Sequence, residues 1–376
     1  MNLLFIAAEL LLLQHDDNGG LRLALIEELE AHLHPQAQLR LIQYLQKEYQ
    51  NAGVQIIIST HSTILTSKIN LKNLILIKNG NGFDLDESKT GLEKGDYLFL
   101  QRFLDATKAN LFFAKGIIMV EGDAENLLIT VIAEIIGYPL ERYGVSIVNV
   151  GSTAFLRYSR IFIRKDGGSM GIPVAVITDC DEKPEYNEQG EFEARKDEMA
   201  VKVSDKEKRY TEDTIKGFVS PQWTFEYCLA QSCLKDDFHK AVHYGKKIKN
   251  SDKYALTYEK IAAADKETSN ESNSWKDLSC EERAFKIYGL ILDSKGKSGL
   301  KAIVAQCLAS ILKWKIAVVP DGMTQAQMFE LERYQWEVNE NEKQKLKKVI
   351  ETDPYIKYIV DAIKYAVGVN RNGEVN

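Results

Sequence analysis

Cysteine is scarce in this chain: there are five among 376 residues, an odd number, with no two spaced as C-x-x-C. That excludes a disulfide framework or a zinc ribbon and points to a reducing compartment. Nor does any apolar run reach the length needed to span a bilayer. The opening MNLLFIAAELLLLQ has no Lys or Arg ahead of its apolar stretch, carries Glu9 within it and lacks a small-residue cleavage site. It therefore reads as a buried helix of a cytoplasmic protein with no membrane partner. Positive charge is not in excess either. The net charge of −6 means that any contact with nucleic acid must come from a local basic patch. No internal repeat occurs, and no G-x-x-x-x-G-K-[ST] phosphate-cradling loop.

What is present is an ordinary globular balance, 45% apolar and 27% charged, in a length that accommodates two domains. Residues 1–82 alternate buried helix and strand: helix 3–13, strand 21–26, helix 35–49, strand 54–59 and strand 74–77. Continuous β-branched runs flanked by helices predict a parallel sheet buried on both faces. Asn79-Gly80-Asn81-Gly82 marks a turn. Residues 83–112 are polar and read as a connector. A second α/β unit follows over 113–230: strand 116–120, helix 124–136, strand 145–150, helix 153–164 and strand 173–178. This βαβαβ rhythm predicts right-handed crossovers and a Rossmann-like open sheet. Residues 182–215, mostly charged and polar, read as a mobile insertion. Residues 231–376 have a helical pattern.

Two constellations carry chemistry. In LRLALIEELEAHLHP, Glu27 and Glu28 close an apolar strand, and about thirty residues later QIIISTHS puts His61 just past another. Nucleotide hydrolysis needs one carboxylate for the magnesium shell and one to orient water, with a group near the γ-phosphate. In the second constellation, KGIIMVEGDAENLL places Glu121-Gly122 after a strand and Glu125 on the next helix, and IPVAVITDCDE ends a strand with Asp179 and Asp181. Residues two apart on a strand share a face, so both aspartates are expected in one crevice, with Cys180 turned into the core. In open parallel sheets that crevice lies beyond the carboxyl ends of the strands. Carboxylates gathered there repel one another unless a divalent cation holds them, and an all-oxygen set suits Mg²⁺ or Mn²⁺.

The first constellation resembles the Walker B, D-loop and H-loop series of ABC-type ATPases, closest to the EExEAHLHP form of RecF-like and OLD-family proteins (overcoming lysogenization defect). The resemblance implies Glu27 on the magnesium shell, Glu28 as catalytic base, His34 in the D-loop and His61 as switch histidine. Leu29 stands where a proline is usual. Without the phosphate loop the chain alone is expected to bind ATP poorly, needing a complementing N-terminal ATPase half.

The second constellation resembles the Toprim domain, and EGDAE, NVGSTAF with Gly151, and WTFEYCLA with Glu226 resemble its OLD subgroup. The order, ABC half then Toprim, is similar to the OLD family, which includes Gabija-type nucleases. The fold implied is α/β: the C-terminal half of an ABC-type ATPase, then a Rossmann-like Toprim sheet and a helical C-terminal region. The activity implied is two-metal DNA phosphodiester hydrolysis regulated by the ATPase part, in the setting of antiphage defence. Ligands implied are Glu121, Glu125, Asp179 and Asp181, with Glu226 and Glu182 as lesser candidates, and Glu121 serving alternatively in proton transfer. The family's charge-neutralising lysine maps to Lys297 or Lys301 in GKSGLKAIVAQCLA. DNA is the implied partner, with a homodimer or larger oligomer and a helicase-like or N-terminal ATPase partner.

Other signals remain open. Arg157 and Arg160, with Arg164 and Lys165, form a basic patch suited to DNA phosphates. HKAVHYGKKIKN is basic, and its His239 and His243 have i, i+4 spacing, but the sequence places no acid or third ligand beside them. A different class of protein, a non-catalytic assembly or DNA-binding module derived from such a nuclease, fits the missing phosphate loop but not the intact acids. A topoisomerase- or primase-like enzyme lacks its tyrosine-bearing or zinc-bearing partner domain here.

Overall fold

The computed structural model describes residues 2–14, 20–31, 33–49, 53–250, 256–292, 299–320, 322–323 and 337–369. The chain divides into two compact units, Met1–Ala114 with Arg157–Met170, and Lys115–Leu156 with Gly171–Asn376.

The first unit begins α1 (Asn2–Gln14), β1 (Arg22–Glu27), α2 (Pro35–Tyr49), β2 (Val54–Ser59) and α3 (Thr63–Thr66). β1 and β2 run parallel, with Glu27 opposite Ser59. One sheet face, Ala24, Ile26, Ile56 and Ile58, packs on a core built from Leu10, Leu41, Ile42, Leu45 and Leu65. The opposite face is not covered among the described residues: Leu25 is 70% exposed and Ile57 52%. That corrects the expectation of burial on both sides. A second correction concerns β3 (Ile75–Lys78), which pairs antiparallel with β4 (Asn81–Asp84) rather than extending the parallel sheet. The reason is local: Asn79 and Gly80 both take positive φ, 51° and 76°, which makes a tight two-residue hairpin turn.

The presumed connector is ordered. It contains α4 (Lys94–Phe103), whose N-terminus carries a reciprocal Glu93/Asp96 capping box. Tyr97 and Leu100 are buried, and the Tyr97 hydroxyl donates to the Leu85 carbonyl at 2.5 Å. Segment 157–170 joins this unit through Arg160, whose guanidinium lies 3.1 Å from Asp96.

The second unit contains β5 (Gly116–Val120), α5 (Asp123–Ile136), β6 (Val145–Asn149), β7 (Val174–Thr178) and β10 (Ile215–Val219). The four strands are parallel, in the order β10–β7–β5–β6. Every residue of β5 and β7 is buried, as a sheet covered on both faces requires. From β5 the chain steps to β6 on one side and then back to β7 on the other. The carboxyl ends of β5 and β7 therefore flank a topological switch point, where such sheets form crevices.

The expected helix over 153–164 is shorter, α6 (Phe155–Ser159) followed by a single tight turn. The expected mobile insertion 182–215 is also ordered. It holds the small hairpin β8 (Glu185–Tyr186) and β9 (Phe192–Glu193), then α7 (Lys196–Arg209), and reaches the first residue of β10. α7 carries Asp197 and Glu198 in its first turn and Lys206, Lys208 and Arg209 in its last, matching the helix dipole. It needs few apolar residues because it buries only Met199, against Cys180 and Val219.

The helical remainder comprises α8 (Phe225–Gln231), α9 (Lys235–Lys249), α10 (Tyr258–Ser274), α11 (Cys280–Gly289), α12 (Lys301–Lys315), α13 (Glu340–Thr352) and α14 (Lys357–Val367). It shares one core with α5 and the sheet. α14 crosses β5 so closely that a Cβ on Gly116 would lie 1.9 Å from the Ala366 carbonyl oxygen. Only glycine fits there.

Candidate active site

In the second unit, Glu121 leaves the end of β5 and Asp179 the end of β7, side by side at the switch point. The Thr178 hydroxyl donates to Glu121 Oε1 at 2.5 Å, and the Asp179 backbone N–H approaches the same oxygen at 3.3 Å. Asp179 Oδ1 accepts the Phe225 N–H at 2.7 Å, so the positive end of α8 meets this carboxylate. Thr224 caps α8 by accepting from the Tyr227 N–H at 3.2 Å, which fixes Glu226 in the first turn. Glu125 sits in the first turn of α5, and a Cβ on Gly122 would lie 3.3 Å from its Oε2, so glycine leaves that carboxylate its room.

Two of these acids are buried, Glu121 and Asp179 are half-buried, and the four crowd one another. Glu226 is 2% exposed and Glu125 8%. Burial, then the charge of Glu226, pushes Glu125 up to about 7. Burial and the charges of Glu226, Glu121 and Glu125 push Asp179 well above the carboxylate range, against the pull of Lys301. Lys301, at the start of α12, places Nζ 2.8 Å from Glu226 Oε2. Burial would lower the Lys301 ammonium, but Glu226 and its neighbours outweigh that and raise it. Apart from this ammonium, no hydrogen-bond donor among the described residues meets either oxygen of Glu226. Buried carboxylate oxygens without donors are costly, and a donor set made only of oxygens fits a hard divalent cation. Glu121, Glu125, Asp179 and Glu226 are the residues that would hold one.

The remaining expected ligands lie elsewhere. β7 ends at Thr178 and Asp181 takes a left-handed φ of 63°, so strand alternation does not carry Asp181 to the side of Asp179. Its carboxylate instead pairs with Lys206 of α7 at 2.5 Å, and the same ammonium donates to the Asp179 carbonyl at 2.7 Å. Glu182 is engaged by Lys202 at 2.5 Å and Arg195 at 2.9 Å, which holds it below its usual range. Cys180 is fully buried, facing the core. Lys297 lies outside the described residues. Thr178 and Lys206 were not singled out from sequence. The only signal for them was adjacency to Asp179 and a basic helix end within a charged stretch.

In the first unit, Glu27 and His61 follow neighbouring parallel strand ends, since Glu27 pairs with Ser59. Glu27, Glu28, His34 and His61 are all exposed. Glu28 has a left-handed φ of 45°, an uncommon conformation for glutamate, and its N–H donates to the Ser59 carbonyl at 3.0 Å. His34 Nδ1 accepts the Gln36 N–H at 3.3 Å. The residue that links the two strand ends is Glu30, passed over in the sequence. It accepts from the Thr60 hydroxyl at 2.7 Å and from the His61 N–H at 2.6 Å. The two arginines of the basic patch also belong to this unit. Arg160 pairs with Asp96, and Arg157 stacks on the Phe99 ring at 4.4 Å. Arg164 is taken up by Asp166, and Lys165 by the Glu87 carbonyl at 3.2 Å.

Two segments of the chain match known protein families. Residues 112–181 match the family described as overcoming lysogenization defect protein-like, TOPRIM domain, and residues 1–66 match an AAA ATPase domain. The chain is 28% identical over 224 residues to Endonuclease GajA of Bacillus cereus (strain HuB5-5), covering 52% of this chain and 32% of that protein. It is 30% identical over 169 residues to the Old nuclease of Escherichia phage P2, covering 42% of this chain and 28% of that protein. The chain thus spans about a third of the length of these relatives. Among solved structures, the C-terminal region of the Burkholderia pseudomallei OLD protein is 21% identical with a TM-score of 0.34, covering 68% of this chain and 99% of that one. No helix among the described residues is long and apolar enough to cross a membrane. By these matches the chain carries a segment similar to an AAA ATPase domain, residues 1–66, ahead of a segment similar to the OLD-like Toprim domain, residues 112–181.

Proposed function

We propose that this chain is a metal-dependent DNA endonuclease of the OLD type, hydrolysing phosphodiester bonds at the Toprim carboxylates. The observation that carries the reading is Glu226: a buried acid beside Asp179 and Glu125 that, among the described residues, meets Lys301 and no other hydrogen-bond donor. Two bound Mg²⁺ or Mn²⁺ ions would supply an activated water and stabilise the leaving oxygen. The protein's own groups do the positioning. Asp179 is fixed by the Phe225 N–H, and Glu121 by the Thr178 hydroxyl. Lys301 is placed to stabilise negative charge on a phosphate oxygen as it develops. The family names of the relatives, Endonuclease GajA and Old nuclease, support the substrate class.

For the first unit we infer an ATPase segment in which Glu27, Glu28 and His61 act together with a phosphate-binding half supplied in addition. Its role would be to regulate or assemble the nuclease, with antiphage defence as the biological setting. The alternative is an accessory module without catalysis. It is favoured by one contact, the Lys206 ion pair that occupies Asp181.

The test is incubation of the purified chain with supercoiled plasmid in Mg²⁺ or Mn²⁺ without ATP, against Asp179→Ala. Metal-dependent nicking that disappears in the variant supports the nuclease. Absence of nicking in both metals sinks it in favour of the accessory module.

A further inference from the structure

Local spacing supplies no third ligand for the i, i+4 histidines of α9; the fold does. α10 packs along α9 and brings Glu271 against both rings. Its Oε2 lies 2.9 Å from His239 Nε2 and 2.9 Å from His243 Nε2. We propose that His239, His243 and Glu271 form a divalent-metal site of the zinc class that staples α9 to α10, separate from the Toprim carboxylates.

The argument starts from burial. His239 is 2% exposed and His243 3%, so both rings need partners for both nitrogens. On the outer side, His243 Nδ1 faces Glu267 Oε2 at 3.3 Å, and His239 Nδ1 faces the Ser272 hydroxyl at 3.4 Å. His243 is thus set between two carboxylates. A neutral imidazole has one donor and one acceptor nitrogen and cannot satisfy both. Either the ring holds a second proton, or Nδ1–H turns to Glu267 while the Nε2 lone pair binds a cation. The second state is the usual arrangement of metal-bound histidine, in which an outer carboxylate fixes the tautomer.

The surroundings favour the metal. Glu267 also meets Lys247 at 2.6 Å, which fixes its carboxylate on the outer side of His243. Trp275 stacks on His239 at 5.3 Å and 16°, pinning that ring. The three donor atoms lie within 4.8 Å of one another. A tetrahedral zinc with bonds near 2.0–2.1 Å needs donor spacings of about 3.3 Å, so the two histidine contacts to Glu271, now 2.9 Å, would open slightly to admit the ion. The Glu271 side chain is 30% exposed, so water can enter as a fourth ligand.

The experiment titrates the chelator-stripped full chain with Co²⁺ alone, reading visible absorption of the tetrahedral ion and bound metal by mass spectrometry, with Zn²⁺ as competitor. The background is Asp179→Ala, which disables the Toprim acids. About one Co²⁺ per chain is expected to survive in that background, to be displaced by Zn²⁺, and to be lost in His243→Ala and Glu271→Gln. Zn²⁺ should also raise Tm in the Asp179→Ala chain but not in the Glu271→Gln chain. Glu271→Gln keeps the side-chain volume, and far-UV circular dichroism confirms that it folds. The proposal is overturned if the Asp179→Ala chain gives no Co²⁺ band, or if the band persists in folded Glu271→Gln.

Discussion

Lys301 Nζ stands 2.8 Å from Glu226 Oε2, and this contact delivers the first residue of α12 to the first turn of α8. No other described cation meets Glu226. Lys301→Met keeps most of the side-chain bulk but removes the charge. It should lower the nicking rate by roughly 10²–10³-fold, the loss typical of one preorganised electrostatic group. Metal binding should be retained or tightened, because the acids lose a competing cation. Nicking rates at saturating Mg²⁺, together with a Mg²⁺ titration, check both halves of the expectation.

A pH dependence follows from Glu125. Its carboxyl is pushed up to about 7, above its ordinary value near 4.5. An acid raised on folding favours the protonated form. Its stabilising preference is therefore complete at low pH and is lost as pH rises through the folded value. Between about pH 4.5 and 7 the metal-free wild type should lose stability that Glu125→Gln keeps, a difference of roughly 2–3 kcal/mol by pH 8. Asp179 shifts in the same direction and adds to the trend. Thermal melts of both chains in chelator at pH 5 and pH 8 check this. Equal slopes for the two chains would remove Glu125 from the account.

Much of this site could be read from the sequence, and the parts that could not share a cause. Glu121 and Asp179 follow fully buried strands, apolar but for Thr178, so their places at strand ends are set by local pattern. Glu226 was a lesser candidate, reached through the likeness of WTFEYCLA to the OLD subgroup, and Thr224 caps the helix that it opens. Asp181 was misplaced because alternation applies only within a strand, and the strand stops at Thr178. α7 was missed because it buries one residue, leaving an apolar pattern too thin to register. Lys206, Glu30 and Glu271 act across 25, 30 and 28 or more residues of intervening chain, a relation that no local spacing encodes.

The Lys206 contact makes a further expectation. Lys206 bridges Asp181 Oδ2 and the Asp179 carbonyl, so it competes with any cation that would recruit Asp181. Asp181 is largely exposed, and an exposed pair of this kind is worth roughly 0.2–1 kcal/mol. Lys206→Met should therefore lower the half-saturating Mg²⁺ concentration for nicking by no more than about fivefold, 1.4 kcal/mol being tenfold. A rise instead would mean that the lysine's hold on the Asp179 carbonyl is what supports metal binding.

In the first unit, Glu30 joins the acidic strand end to the histidine loop by accepting from Thr60 and from the His61 N–H. Burial alone would raise Glu30, but these hydrogen bonds outweigh it and hold the carboxylate below its usual value. An acid lowered on folding contributes stability that is present at neutral pH and lost as pH falls through the folded value. Glu30→Ala leaves the His61 N–H and Thr60 hydroxyl without their acceptor, at a cost of roughly 1–3 kcal/mol. The effect should be local, because the described partners of the Glu30 side chain, Thr60 and His61, both lie just past β2. Hydrogen exchange should show the His61 amide losing protection in the variant, while amides of β5 in the second unit stay unchanged. The same loss should appear in the wild type on acidification below the ordinary glutamate range. If the His61 amide exchanges equally fast in both chains at neutral pH, Glu30 does not hold this loop.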